Sequence, residues 1–351
     1  MTGHVLVARL DSLGDVLLAG PAVRAVAAGA RRVTLLVGPR GAAAAALLAG
    51  VDDVRVFRTP WIDPEPDPVC RTAIDGLIET IGALAIDQAI VLTSFHQSAL
   101  PLALLLRLAG VRTIAAISED YPGALLDVRH HVADDIHEVE RNLSLVARLG
   151  YTLPAGDSGR LAVTRRRRGG WWPPWPRYVV VHPGASAPAR TWAPENSAAL
   201  VDLLVDAGYG VVVTGSADER ELTARVAGRS RALVHDLNGR VDFAGLADVL
   251  AGAKAVVVGN TGPAHLAAAV GTPVVSLFPP TVPAVRWRPW GVRHVLLGDQ
   301  TIECHGCRAR VCPVAGHPCI DRVRPADVLA AVRAVTAGTE LADGAAVGAG
   351  A

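Results

Sequence analysis

The sequence predicts an α/β fold built from two doubly wound domains, and three observations predict it. Apolar runs of strand length alternate with helix-period segments along most of the chain, the pattern of parallel sheets covered on both faces. The alternation breaks once, between Tyr151 and Pro176, and then begins again. The chain has 351 residues, 51% of them hydrophobic, which is enough to bury two separate cores.

In the first half, "HVLVARL" (His4 to Leu10) reads as a strand, with a helix after it through Ala22 to Ala28. "RRVTLLVG" (Arg31 to Gly38), "DQAIVLTS" (Asp87 to Ser94) and "VRTIAAIS" (Val111 to Ser118) read as further buried strands. "ALPLALLLRLAG" (Ala99 to Gly110) reads as a buried helix, and "HEVERNLSLVARLG" (His137 to Gly150) is an amphipathic helix ending on glycine. "RRRRGGWWPPWP" (Arg165 to Pro176) has neither helical nor strand period, so residues 154–176 are expected to be a linker. Four arginines beside Trp171, Trp172 and Trp175 suit either a solvated linker with packed tryptophans or a peripheral contact with an anionic membrane surface.

In the second half, "RYVVVHPGA" and "YGVVVTGS" are strands around a helix from Pro194 to Gly208, with proline at its start and glycine at its end. "DERELTARVAG" and "DFAGLADVLAGA" follow as helices. The strand from Lys254 to Asn260 runs into the helix "TGPAHLAAAVG", and Pro273 to Pro279 is a strand again. A last helix is expected over 325–336 and a disordered tail over 337–351. The domains are therefore placed at 1–153 and 177–336.

A formal charge of +1 gives no support to nucleic-acid binding over a whole surface. No apolar stretch reaches the ~18 residues of a membrane helix, and the N-terminus has no signal-peptide pattern, because Arg9 and Asp11 interrupt it. A cytoplasmic protein is expected, with a position at the inner face of the membrane as the variant.

Three strand-to-helix turns carry polar chemistry where doubly wound sheets bind ligands. "DSLGD" (Asp11 to Asp15) is neither a dinucleotide fingerprint nor a phosphate loop with its lysine. Asp11, Ser12 and Asp15 are three candidates for one helix cap, and the surplus points at least one side chain toward a ligand. "HPGASAPARTW" (His182 to Trp192) offers Gly184, Ser186 and one cation, Arg190, a combination that suits a phosphate or diphosphate. In "GNTGPAHLAAAVG", Asn260, Thr261 and Gly262 open a helix whose free N–H groups and dipole favour an anion, with His265 one turn on. "TSFHQS" (Thr93 to Ser98) ends a strand of the first domain, so Ser94, His96 and Gln97 either line a pocket or cap a helix.

Taken in order, "RLDSLGDVLLAGPAVRAV", "HPGASAPARTWAPENSAALV" and "GNTGPAHLAAAVGTPVVSLFPPT" resemble glycosyltransferase family 9, whose members include the ADP-heptose:lipopolysaccharide heptosyltransferases. The resemblance implies a GT-B fold, with two Rossmann-like domains facing across a cleft, the acceptor on the N-terminal one and the nucleotide sugar on the C-terminal one. It implies inverting transfer of a sugar without a catalytic metal, so no cofactor is required. The donor would be ADP-heptose-like, and the acceptor a glycan, lipid-linked or small-molecule hydroxyl compound. Asp15 matches the family's general base, Arg190 a basic position that neutralises the departing diphosphate, and Thr261, Gly262 and His265 the phosphate-binding turn. Ser186 and Asn260 join the donor side; Ser12, Gly14, His96 and Gln97 join the acceptor side. Asn260 stands where the family usually has aspartate, which removes a charge.

Cys304, Cys307, Cys312 and Cys319 crowd one segment, and their spacing suits either a structural zinc site or a set of reduced thiols. Two alternatives to a transferase share the architecture: a nucleotide-sugar epimerase, and a non-catalytic relative that only binds nucleotide sugars.

Overall fold

The computed structural model describes residues 2–132, 135–165, 173–228 and 232–344. The chain divides into two compact units, Met1–Thr164 and Arg165–Ala351. Most of the tryptophan–arginine stretch between the expected domains, residues 166–172, lies outside the described residues.

The first unit runs β1 (Thr2–Arg9), α1 (Leu13–Gly29), β2 (Ala30–Val37), α2 (Ala42–Ala45), β3 (Asp53–Val56), α3 (Arg71–Ala83), β4 (Gln88–Val91), α4 (Leu100–Leu108), β5 (Thr113–Ile117), β6 (Val128–His130) and α5 (Glu138–Ala147). Its six strands are all parallel, in the order β3-β2-β1-β4-β5-β6. Such a sheet is buried on both faces. Leu6 and Ala8 of β1 lie on one face in a core with Leu102 and Leu106 of α4, and Val5 and Val7 of β1 are equally sealed.

The second unit runs β7 (Tyr178–His182), α6 (Pro194–Asp206), β8 (Gly210–Val213), α7 (Arg220–Ala227), β9 (Val234–Asp236), α8 (Phe243–Gly252), β10 (Ala255–Gly259), α9 (Gly262–Ala269), β11 (Val274–Leu277), α10 (Ala284–Trp287), β12 (His294–Leu297), α11 (Pro318–Asp321) and α12 (Pro325–Gly344). Its sheet repeats the arrangement, β12-β11-β10-β7-β8-β9, again all parallel. Val179, Val257 and Val275 from neighbouring strands pack with Leu200 and Leu204 of α6 and Val328 and Val332 of α12. At about 1.5–3 kcal/mol for each fully buried aliphatic side chain, these layers are the main source of stability of the unit. The last helix runs to Gly344, past the end expected at 336; residues 345–351 lie outside the described residues.

In both units the first and fourth strands lie side by side at the centre, and the strand order reverses between them. That reversal opens a crevice at the carboxyl ends of the strands, where open α/β sheets bind ligands. The turns after β1 and β4 flank it in the first unit, and the turns after β7 and β10 flank it in the second.

Candidate functional site

In the first unit, β1 ends on a charged residue enclosed by the fold. The Arg9 side chain has no exposure, and its guanidinium meets three carboxylates: Asp11 at 2.9 Å, Asp15 at 3.1 Å and Glu138 at 3.1 Å. It also donates to Ser94 Oγ at 2.8 Å. Asp11, predicted as a possible cap, instead spans the crevice: it accepts from Ser94 Oγ at 2.9 Å and Gln97 Nε2 at 2.7 Å, both in the turn after β4. Ser12, extended in backbone, is the N-cap of α1. Its Oγ donates to Asp15 Oδ2 at 2.7 Å, and its backbone N–H reaches the same oxygen at 3.4 Å. Asp15 therefore does two jobs: it closes a capping box and remains the more open of the two aspartates, with 18% of its side chain exposed against 8% for Asp11. Gly14 is buried in the first turn of α1.

Burial pushes both Asp11 and Glu138 above the usual carboxylate range, although Arg9 pulls each the other way. A carboxyl whose pKa is raised in the folded state binds more protons there than in the unfolded chain, so its contribution to stability is present at low pH and is lost as pH rises. Unfolding free energy is expected to fall as pH rises from about 4 through the raised values of these groups. Denaturant unfolding across that range checks it, and Glu138→Gln is expected to flatten the decline.

Beside this cluster, His96, Gln97 and Ser98 join Ser118, Glu119, Asp120 and Arg141 around a polar cavity of about 250 Å³. His96 is exposed and stands edge-on to Phe95, with ring centroids 5.5 Å apart. Gln97 lines the cavity, but its amide is engaged at both ends: its oxygen accepts from the Ser94 backbone N–H at 3.1 Å and its nitrogen donates to Asp11.

In the second unit, β7 delivers His182 into the turn that carries Gly184, Ser186 and Arg190. Ser186 is exposed, whereas Arg190 closes a short 3-10 turn, Pro188–Arg190, and lines a narrow pocket of about 10 Å³ with His182, Trp192 and Gly259. The neighbouring strand β10 delivers buried Asn260, and Thr261 is the N-cap of α9, with Gly262 and Pro263 opening the helix. His265, also buried, lies in the first turn. Gly259 is required by close approach: a Cβ there would come 2.8 Å from the backbone oxygen of Arg190. Gly259→Ala is expected to cost about 1–3 kcal/mol by overpacking and to displace the Arg190 turn; thermal melting checks the loss.

Several residues of these crevices were not singled out by the sequence reading. Arg9 figured only as an interruption of a signal-peptide pattern, and Glu138 only as part of an amphipathic helix. Glu219 follows β8; it accepts from Ser216 N at 2.8 Å and Ser216 Oγ at 2.9 Å, and its carboxylate packs over Gly184, where a Cβ would lie 1.9 Å from its Oε1. His182, which hydrogen-bonds to Thr214 Oγ1 at 3.0 Å, is kept neutral by burial.

Of the two readings left open for the clustered cysteines, the structural zinc site finds no support. Cys304, Cys307, Cys312 and Cys319 do border one cavity of about 30 Å³, together with His317. Among the described residues, however, no three His, Cys, Asp or Glu groups are placed to hold a metal ion. Cys304 and Cys307 are exposed, whereas Cys319 packs into the hydrophobic core, and burial pushes its thiol up to about 11.

The family model described as glycosyltransferase family 9 (heptosyltransferase) matches residues 75–317, which includes both turns of the second unit but not the turn after β1. Lipopolysaccharide heptosyltransferase 1 of Pseudomonas aeruginosa is 34% identical over 226 residues, 62% of this chain and 61% of that protein. The enzyme of the same name from Escherichia coli K12 is 32% identical over 158 residues, 45% of this chain and 49% of its own. The chain thus aligns with about half to three-fifths of the length of these relatives. Among solved structures, that of E. coli ADP-heptose lps heptosyltransferase II aligns with 97% of this chain and 100% of its own, with a TM-score of 0.72 at 19% identity. E. coli heptosyltransferase WaaC with ADP-2-deoxy-2-fluoro heptose aligns with 93% of this chain and 98% of its own, with a TM-score of 0.69 at 25% identity. The architecture expected from the sequence, GT-B with two Rossmann-like units, is therefore the one this chain has.

Proposed function

Because this chain belongs to glycosyltransferase family 9, we propose that it is an inverting, metal-independent transferase. It moves a heptose from an ADP-linked donor to a hydroxyl of a cell-envelope glycan. The observation that carries this reading is the repeated use of the strand-order reversal. In the second unit the β7 and β10 turns offer a cation and an open helix N-terminus, the chemistry of a diphosphate site. In the first unit the same place holds an acidic side chain, Asp15, open enough to meet a substrate.

The first unit takes the acceptor. Asp15 removes the proton of the acceptor hydroxyl while that oxygen attacks the anomeric carbon from the face opposite the leaving group, which inverts the configuration. Ser12 holds the carboxylate, and His96 and Gln97 border the polar cavity into which a saccharide fits. The second unit takes the donor. As the bond to the diphosphate breaks, negative charge grows on its oxygens; Arg190 and the N–H groups at Thr261 and Gly262 stabilise it, with Ser186, Asn260 and His265 nearby in sequence. Glu219 stands after the second strand of this doubly wound unit, where an acidic group can accept from ribose hydroxyls. Among the described residues no helix is long and apolar enough to cross a membrane, and we place the reaction at the cytoplasmic side, where ADP-sugars are available.

The test is release of ADP from ADP-heptose, followed with and without lipopolysaccharide lacking its heptoses. Acceptor-dependent release, matched by sugar incorporation, is expected. Conversion of the donor sugar without acceptor would identify an epimerase instead, and binding without turnover on any glycan acceptor would identify a non-catalytic relative. A thermal-shift series is expected to rank ADP-sugars above UDP- and GDP-sugars.

A further inference from the structure

We propose that Arg9 and Glu138 form a positioning pair that sets the orientation and charge balance of the Asp15 carboxylate; this rests on Asp15 being the base. The argument starts from the shape of the guanidinium. It is a planar fork with separate donors, and here the two ends serve different elements. One terminal nitrogen, Nη2, faces Asp15 Oδ1 at 3.1 Å, Asp11 Oδ2 at 2.9 Å and Ser94 Oγ at 2.8 Å. The other, Nη1, donates to Glu138 Oε2 at 3.1 Å. Because the fork is rigid, the Glu138 contact from α5 fixes the rotation that aims Nη2 at Asp15. Glu138 has only 1% of its side chain exposed. It does not need to touch substrate to act.

Charge balance gives the second half of the argument. Three carboxylates, on the β1 turn, α1 and α5, share one buried guanidinium, and a second cation, Arg141, stands 3.9 Å from Glu138 Oε1 and also donates to the Thr93 backbone oxygen. Ser94 and Gln97, from the turn after β4, add neutral donors to Asp11. With Glu138 and Asp11 competing for it, Arg9 neutralises Asp15 only in part. A carboxylate fully paired with a guanidinium would be a much weaker base. The cluster thus holds Asp15 still without removing its basicity, which a single ion pair cannot do.

Glu138→Gln separates the two functions, since it keeps a hydrogen-bond acceptor and removes the charge. It is expected to let Arg9 pair more completely with Asp15. The Asp15 titration, followed by carboxyl carbon NMR in ¹³C-aspartate-labelled protein and assigned by its loss in Asp15→Asn, moves down by at least about half a pH unit. The acid limb of ADP release from ADP-heptose moves the same way, and kcat falls several-fold with the KM for ADP-heptose unchanged. Arg9→Lys keeps the charge but loses the fork, and is expected to lower kcat about tenfold, since a point charge cannot serve Glu138 and Asp15 together. Glu138→Asp, which keeps charge, restores the pH profile in part. A folded Glu138→Gln variant whose Asp15 titration is unmoved would overturn the proposal, as would an Arg9→Lys variant with unchanged kcat. Full turnover in Asp15→Asn would instead remove Asp15 as base, a separate outcome that takes the pair's function with it.

Discussion

Replacing Asp15 by alanine is expected to lower acceptor-dependent transfer by roughly 10²–10⁴-fold, the usual contribution of a positioned general base. ADP-sugar affinity is expected to stay within about twofold, because the proposed donor groups belong to the other unit; calorimetry with ADP and ADP-heptose checks this. The loss is not a folding effect. The substitution deletes one side of the Ser12–Asp15 capping box, which costs about 1 kcal/mol. It also relieves repulsion among the carboxylates, and Arg9 keeps Asp11 and Glu138 as partners. Unchanged turnover in a folded Asp15→Ala protein would show that another group takes the proton. Asp11 is the nearest alternative in sequence, but it is nine-tenths buried and engaged by Arg9, Ser94 and Gln97, so Asp11→Asn is expected to affect stability more than the proton transfer itself.

Replacing Arg190 by alanine is expected to lower kcat roughly 10²–10³-fold, similar to the loss of one preorganised donor from a site where charge develops. In the proposed reaction the charge on the departing diphosphate is greater in the transition state than in the bound donor, so kcat is expected to fall further than ADP-heptose affinity. Arg190→Lys keeps the charge and loses the fork, and an intermediate rate is expected. Equal losses in kcat and in donor binding would point to simple ground-state binding by Arg190. The residue is placed by backbone as much as by side chain: its turn passes over Gly259 at the end of the neighbouring central strand. This is why Gly259→Ala is expected to echo part of the Arg190 phenotype.

The central strands were readable because β1, β4, β7 and β10 are buried on both faces, so each appears as a continuous apolar run. The strands the sequence reading missed are β3, β6, β9 and β12, and these are the four edges of the two sheets. Edge strands are short and half-exposed, and so carry neither a long apolar run nor a clean alternation. The same contrast holds at the crevices. Turn chemistry is local, so Ser12 as a cap and the proline-led start of α9 could be read residue by residue. The four clustered cysteines show the opposite limit: their spacing left zinc and reduced thiols both open, and it carried no sign that Cys319 packs into the core while Cys304 and Cys307 stay exposed.

By itself, then, the sequence determined two parallel α/β units, their central strands and the three turns that hold the candidate chemistry, because periodicity and capping act over a few residues. Only the tertiary structure decided what those turns do with their charges. Arg9 and Glu138 are 129 residues apart in sequence and meet because α5 packs against α1, which brings Glu138 to Arg9 at the end of β1. Asp11 was freed from capping because the turn after β4 offered it Ser94 and Gln97. Burial in a low-dielectric interior makes each such charge depend on its partners, and partners brought together from distant segments leave no local mark in the chain.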